Sequence, residues 1–257
     1  MGERRSEERP GRRTRRRPWL RLLKAGPSGC YRRPPVRLSV VIPALDEAER
    51  IAGAVASARA PDVEVIVVDG GSSDATCERA GEAGARVIRC ARGRARQLDA
   101  GARAARSEAL LFLHADTRLP AGYAEAALRA LSDRSVAGGA FRLRFEERTR
   151  GLRWIERIAR LRVRLLGLPY GDQGLFLRRE TLDAIGGVPQ VPILEDLDLV
   201  RALKRRGRLA LLREEAVTSA RRHLAGGPWR TALRHLAIAL GGSLGVDRAR
   251  LAAWARR

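Results

Sequence analysis

Short apolar runs alternate with helical stretches through the first half of this chain, and each run ends abruptly in polar residues. The runs are Leu38 to Pro43, Val63 to Asp69, Arg86 to Arg89 and Leu110 to Leu113. Continuous β-branched and aliphatic runs suit strands covered on both faces. Between them, Asp46 to Ala58, Asp74 to Ala83 and Arg94 to Arg106 read as helices. Ile51, Val55 and Ala58 give the first of these one apolar face. Its acids, Asp46, Glu47 and Glu49, are expected to open it, where the helix dipole favours them. This alternation predicts an α/β fold built on a single doubly wound, mostly parallel sheet with flanking helices.

The second half is less regular. Pro120 to Leu131 reads as a helix and Ala137 to Phe145 as a strand. Arg150 to Leu166 is a basic amphipathic helix carrying Leu152, Ile155, Ile158, Leu161 and Leu165. Such a helix packs on its own domain or lies on a membrane surface. Leu175 to Leu177 reads as a strand, Gly186-Gly187 closes a short helix, and Glu195 starts a helix reaching about Arg206. A short strand over Arg208 to Leu212 follows. Pro228 to Trp254 then reads as a helical C-terminal region interrupted at Gly241-Gly242. The expected organisation is a disordered basic tail over 1–36, one α/β domain over 37–224, and a helical extension over 225–257 packed on that domain.

The net charge of +22 narrows the partners. Residues 1–37 alone hold 13 Lys/Arg against 3 Asp/Glu. Such basicity suits nucleic acid, anionic lipid or a phosphorylated substrate. Aromatic residues make up only 4% of the chain, too few for a base-stacking platform, and no zinc-finger or nucleic-acid motif occurs, so no specific nucleic acid is expected. Cys30, Cys77 and Cys90 form neither a metal spacing nor a disulfide framework, which predicts a reducing cytoplasm. Arg16-Arg17-Pro18-Trp19-Leu20 resembles a twin-arginine signal, but Arg21, Lys24 and Pro27 break the apolar run behind it, so an export signal is rejected. No run approaches a membrane span.

Three loops carry the chemistry: Pro43 to Glu47, Asp69 to Asp74, and His114 to Asp116. Each follows a predicted strand, so all three meet at the edge of the sheet where ligands bind. Read as extended chain, His114 and Asp116 point the same way. The pair suits one divalent cation, or is simply two solvated groups at a strand end; this segment alone leaves both open. Arg94 and Arg96, at the head of a helix, suit a diphosphate. There is no Walker lysine loop, and Gly70-Gly71-Ser72-Ser73-Asp74 is no dinucleotide fingerprint. A nucleotide is expected, but neither an ATPase nor a Rossmann dehydrogenase.

Ser39 to Pro43 with Glu47, Val67 to Asp74, the aspartate after an apolar strand, and Glu195-Asp196 together resemble glycosyltransferase family 2. Gly93-Arg94-Ala95 with Gln97, Leu113 to Pro120, Gly171-Asp172-Gln173-Gly174 and Thr218 to Arg222 are most similar to one bacterial subgroup, the radical-SAM/selenodomain-associated or arsenosugar-biosynthesis glycosyltransferases. The resemblance runs from about Leu38 into the C-terminal region. It implies a GT-A fold and a nucleotide-sugar donor.

The resemblance also implies roles. Pro43, Ala44, Glu47, Asp69 and Gly71 would contact the nucleotide-sugar, and Arg94 the diphosphate. Asp116 stands in the last position of the family's DxD metal motif and His114 in the first, a departure from the general pattern shared with the subgroup. Imidazole is softer than carboxylate, which leaves Mg2+ and Mn2+ both open. Asp196 would be the general base, with Glu195 beside it, and attack from the opposite face would invert the anomeric centre. Both acids also suit a helix N-terminus on dipole grounds alone. Asp172, Gln173, Arg221, Arg222 and His223 are candidates for the acceptor or diphosphate. Asp172 is equally a turn residue, and His223 either reaches the metal or is a surface histidine. The subgroup usually carries Asn at the position of Asp99 and Trp at that of His223.

The expectation is therefore an inverting, metal-assisted transfer of a hexosyl group from a UDP- or GDP-sugar to a small-molecule or lipid-linked hydroxyl acceptor. The protein would be cytoplasmic, or peripheral at the inner face of the membrane through its basic segments. The alternatives are a catalytically inactive nucleotide-binding or membrane-recruited protein of the same fold, a nucleotidyltransferase, which would release pyrophosphate, and a nucleic-acid-binding protein.

Overall fold

All seven residues of strand β1 (Leu38–Ala44) are buried, because neighbours enclose it on every side. In this computed structural model, which describes Met1 and residues 36–255, β1 pairs in parallel with β2 (Val63–Asp69) and β4 (Ala109–Phe112), and β2 pairs with β3 (Arg86–Arg89). The tail expected over 1–36 falls, from residue 2 to residue 35, outside the described residues. Successive side chains of a strand take opposite faces. Val40, Ile42, Val67 and Leu111 accordingly join one core layer, with α1 (Ile51–Ala58) and α4 (Tyr123–Ser132). Val41, Ile66, Val68 and Phe112 join the other, with α3 (Arg94–Ala104) and α7 (Glu195–Lys204). The helix α2 (Thr76–Glu82) connects β2 to β3.

The eight-stranded sheet runs β3-β2-β1-β4-β7-β6-β8-β5. Here β7 (Leu175–Arg178) is antiparallel to both β4 and β6 (Val136–Phe145). β8 (Arg208–Thr218) is parallel to β6 and antiparallel to β5 (Thr117–Arg118). The sheet is thus parallel through its first four strands and mixed beyond them. From β1 the chain winds outward to β2 and β3, then returns to β4 on the other side. That reversal opens a crevice at the carboxyl ends of β1 and β4.

Helix α5 (Arg150–Leu166) covers the far end of β6 through Leu152, Ile155 and Ala159, which meet Leu143 and Phe145. The short α6 (Arg179–Ala184) follows β7. The C-terminal region is α8 (Arg221–Gly226), α9 (Pro228–Ser243) and α10 (Arg248–Ala255).

Four local expectations change. Asp46 to Glu49 form a turn rather than a first helical turn: α1 starts at Ile51, and Asp46 sits at φ 52° with its carboxylate accepting from Ser73 N at 2.8 Å. Extended pairing of β4 ends at Phe112, and Thr117 N donates to His114 O at 3.1 Å across a turn, so the period-two alignment of His114 with Asp116 does not apply. β8 continues to Thr218 rather than stopping at Leu212; its half-exposed polar stretch hides the strand from an apolar pattern. Finally, α9 runs through Gly241-Gly242. A Cβ on Gly242 would lie 2.5 Å from Leu194 Cδ1 and 2.6 Å from an Arg248 guanidinium nitrogen, so glycine there admits close packing instead of breaking the helix.

Candidate active site

The crevice is built first by loops that hold one another. Asp46 N donates to Ser72 Oγ at 3.0 Å, and Glu47 N to Thr76 Oγ1 at 2.8 Å, tying the loop after β1 to the loop after β2. The loop after β4 is tied in from the other side, where Ser219 N donates to Asp116 O at 3.1 Å. Arg221 completes the arrangement. Its guanidinium pairs with Glu47 and lies 3.6 Å from Asp116 Oδ2. Glu47 Oε2 is buried with no hydrogen-bond partner.

Two adjoining hollows share the floor formed by Arg94, His114, Asp116 and Arg222. One, of about 410 Å³, runs along Pro43, Ala44 and Glu47 and is bounded by Ile193 and by Ala252 of α10. The other, of about 320 Å³, is walled by Tyr170, Asp172, Asp196 and His223, and by Arg234 and His235 of α9. Of the residues singled out from sequence for these roles, Asp69, Gly71, Arg96, Gln173 and Arg221 line neither hollow. Asp69 is committed to its own loop, accepting from Gly71 N at 3.1 Å and from the amide and hydroxyl of Ser72. Burial works to raise its pKa, but these hydrogen bonds outweigh it and hold the carboxyl below its usual value. Gln173 braces a 3-10 turn over Gly171–Gln173: its amide donates to Phe141 O at 2.9 Å and accepts from Tyr170 N at 3.1 Å.

Three carboxylates, Glu195 at the first hollow and Asp172 and Asp196 at the second, stand in different states. Glu195, 3% exposed at its side chain, pairs with Arg94 across the head of α3; burial pushes its pKa up against the pull of that arginine. Asp196 accepts from Gly171 N and from Leu197 N, each at 2.8 Å, so α7 and the 3-10 turn fix its orientation. Leu194, just before them, sits at φ 66°, a left-handed backbone that a leucine rarely adopts. Asp172 Oδ1 is buried without a partner. Burial pushes the Asp172 carboxyl up to about 6, with Asp196 and Asp116 adding to the rise and Arg162 and Arg94 opposing it.

His114 is lowered to about 4 by burial and by Arg94, so at neutral pH its imidazole is uncharged and free to bind a cation. Among the described residues no three His, Cys, Asp or Glu side chains converge as a metal cage. One carboxylate and one neutral imidazole nevertheless fit Mg2+ or Mn2+ at a nucleotide site, where such ions draw most of their shell from phosphate oxygens and water.

Sequence reasoning missed Tyr170, Arg234 and His235. Tyr170 lies under the Arg162 guanidinium, 3.5 Å from its ring centroid. His235 stacks edge-on to His223, with ring centroids 5.5 Å apart, and burial, His223 and Arg234 lower its pKa to about 4. The available signal was positional: on α9, Arg234 and His235 lie away from the row of large apolar residues.

The model of the family "Glycosyl transferase family 2" matches residues 39–186. No curated protein matches the chain. Among solved structures, the mannosyltransferase PcManGT from Pyrobaculum calidifontis, in complex with GDP-Man and Mn2+, is similar at TM-score 0.61 and 20% identity, covering 86% of this chain and 70% of that one. Glucosyl-3-phosphoglycerate synthase from Mycobacterium tuberculosis, in complex with Mn2+, UDP and glucosyl-3-phosphoglycerate, is similar at TM-score 0.53 and 21% identity, over 78% of each chain. S. aureus TarS 1-349 is similar at TM-score 0.56 and 15% identity over 79% of this chain, which spans 64% of its length. At these identities the likeness shows the GT-A fold.

Proposed function

The chain belongs to glycosyl transferase family 2, and from that premise we propose that it transfers a hexosyl group from a nucleoside diphosphate sugar to a hydroxyl acceptor, with inversion. The observation that carries this reading is the shared floor of the two hollows: Arg94, His114 and Asp116 border a nucleotide-sized groove on one side and a carboxylate-walled cavity on the other. The donor would lie along Pro43, Ala44 and Glu47 with its diphosphate toward Arg94 and Arg222. The acceptor would enter between Asp172, Asp196, His223 and Arg234. Solved relatives of the same fold that hold GDP-Man with Mn2+, or UDP with Mn2+, support the donor class.

Breaking the sugar–phosphate bond builds negative charge on the leaving diphosphate. Asp116 and His114 would hold a divalent cation, Mg2+ or Mn2+, which when bound neutralises part of that charge. Arg94 adds a fixed cation at the same place, oriented by Glu195. Asp196, held by two backbone amides, would take the proton of the acceptor hydroxyl as it attacks the anomeric carbon. Asp69 and Gly71 would serve the nucleoside pocket by shaping its loop, and Gln173 the acceptor side by bracing the 3-10 turn.

The acceptor class we propose is a small-molecule or lipid-linked alcohol. The motifs of Leu113 to Pro120, Gly171 to Gly174 and Thr218 to Arg222 support a place in the radical-SAM/selenodomain-associated, arsenosugar-biosynthesis type of subgroup. We read residues 37–224 as the catalytic domain and 225–257 as a helical extension closing the cleft. The free thiols of Cys77 and Cys90 support a reducing, cytoplasmic setting. Calorimetric titration with UDP and GDP, with and without Mn2+, tests the reading. Metal-dependent binding of one of them supports the donor site and names the base; no binding of either under any metal condition sinks the assignment.

A further inference from the structure

Two helices of this protein carry the same row of large apolar residues on the side that faces away from the core. On α5 the row is Trp154, Ile158, Leu161 and Leu165; on α9 it is Trp229, Leu233, Leu236 and Leu240. Both follow the spacing i, i+4, i+7, i+11, which keeps all four residues within one narrow stripe of a helix. All eight are between 49% and 70% exposed. The residues that anchor these helices, Leu152, Ile155, Ala159 and Val163 on α5 and Thr231 and Ile238 on α9, lie on the opposite side. Neither stripe is therefore needed to hold its helix in place. The helices adjoin at their N-termini: a Cβ on Gly151 would lie 3.5 Å from Pro228 Cβ and 3.8 Å from Trp229 Nε1.

Charge decides what covers these stripes. Beside the α5 stripe stand Arg150, Arg153, Arg157, Arg160 and Arg164, all exposed, and Arg157 lies over the Trp154 ring at 5.0 Å. The only acid on α5, Glu156, is buried and bonded to Phe145 N and Arg148; α9 has no acid. Each stripe is thus aliphatic and indole, the α5 stripe is edged by cations, and neither helix carries an exposed carboxylate. A second copy of the chain would set arginine rows against each other. Residues 1–37 carry a large excess of charge of the same sign as these arginines. An anionic bilayer satisfies both parts, apolar residues entering the acyl boundary and arginines meeting lipid phosphates.

We propose that the outer face of α5 and α9 docks this protein on the surface of an anionic lipid bilayer. No helix among the described residues is long and apolar enough to cross a membrane, so this is attachment in the interface plane. The attachment stands apart from the donor chemistry. Its consequence for the site is positional: α9 lends Arg234 and His235 to the acceptor hollow, so docking would hold that hollow beside the headgroups.

The test is flotation of the full-length protein with vesicles of phosphatidylglycerol and phosphatidylcholine, and with phosphatidylcholine alone. The expected result is preferential partition onto the anionic vesicles, a blue shift of tryptophan emission, and a loss of about tenfold or more in partition for a variant combining Ile158→Ser, Leu161→Ser, Leu233→Ser and Leu236→Ser. These side chains are exposed, so the variant should melt with the parent protein; Leu165→Ser alone gives a milder version of the same loss. Failure of the parent protein to bind anionic vesicles overturns the proposal. So does binding that the stripe substitutions leave unchanged, which would assign it to cations elsewhere, residues 1–37 first. A dimer that the same substitutions dissociate, without vesicle binding, would give the face to a second copy and equally overturn it.

Discussion

Arg94 and Glu195 stand 101 positions apart in the chain and form one ion pair at the cleft, the guanidinium Nε donating to the carboxylate Oε1. Glu195 is almost fully buried, whereas Arg94 keeps a third of its side chain in solvent. Removing the arginine therefore strands a buried carboxylate, while removing the acid leaves an arginine that can turn to water. Arg94→Ala should cost about 2–4 kcal/mol in urea unfolding at pH 7, and Glu195→Gln about half of that. The Arg94→Ala deficit should shrink as pH falls, because the stranded Glu195 then takes a proton. An equal loss for both variants would mean that the pair is not polarised in this way.

Gly101 sets how closely α3, and with it Arg94, approaches the sheet. A Cβ at this position would lie 2.2 Å from Val41 Cγ1 and 2.9 Å from Val68 Cγ2, both on buried central strands. Gly101→Ala gains about 1 kcal/mol of helix propensity but must push two fixed valines. The net expected effect is a loss of about 1–3 kcal/mol by chemical denaturation, with weakened nucleotide binding as Arg94 shifts outward.

The parallel half of the sheet was legible because β1, β2 and β4 are buried on both faces and so read as unbroken apolar runs. β5 was not, since two residues carry no period, and β8 beyond Leu212 was hidden by Arg213, Glu214 and Glu215. Among the residues that line the cleft, Asp116, Arg94 and Asp196 could be found from motifs that end strands or begin helices. Sequence placed Asp69 in the nucleoside pocket, yet the structure spends its carboxylate on Gly71 and Ser72. Arg234 and His235 enter from a helix more than 100 residues downstream of Asp116, and only tertiary packing brings them there.

Asp116 faces Arg221 at 3.6 Å, but Arg221 holds its closer pairing with Glu47. Losing the aspartate thus leaves the arginine a partner, and the fold should tolerate Asp116→Ala with little change in melting temperature. Calorimetry with the bound nucleoside diphosphate should show the Mn2+-dependent part of the affinity reduced about 10- to 100-fold. Arg221→Ala should behave oppositely. It strands Glu47, whose Oε2 is already without a partner, and should lower stability by about 1–3 kcal/mol. Metal-dependent affinity untouched by Asp116→Ala would remove this residue from the cation site.

Asp172 and Asp196 face the same hollow, and their surroundings separate their roles. Both oxygens of Asp196 are fixed by amides, whereas Asp172 has an unpartnered buried oxygen and a pKa raised to about 6 from 3.8. For an acid raised in the folded state, the folded protein binds more protons than the unfolded chain between those values. Stability therefore falls as pH rises from about 4 to about 6, and the charged Asp172 is a standing cost at pH 7. Asp172→Asn should raise stability at pH 7 by up to about 3 kcal/mol, a gain that vanishes below about pH 4, where both states hold the proton. Thermal melts across that range check the sign. In turnover, Asp196→Asn should lower kcat by about 10²–10⁴, the usual worth of a positioned base. Asp172→Asn should keep most of kcat and lose any limb of the pH profile near 6. The reverse pattern, with kcat collapsing in Asp172→Asn and surviving in Asp196→Asn, would move the base to Asp172 and leave Asp196 the task of holding the Gly171–Gln173 turn.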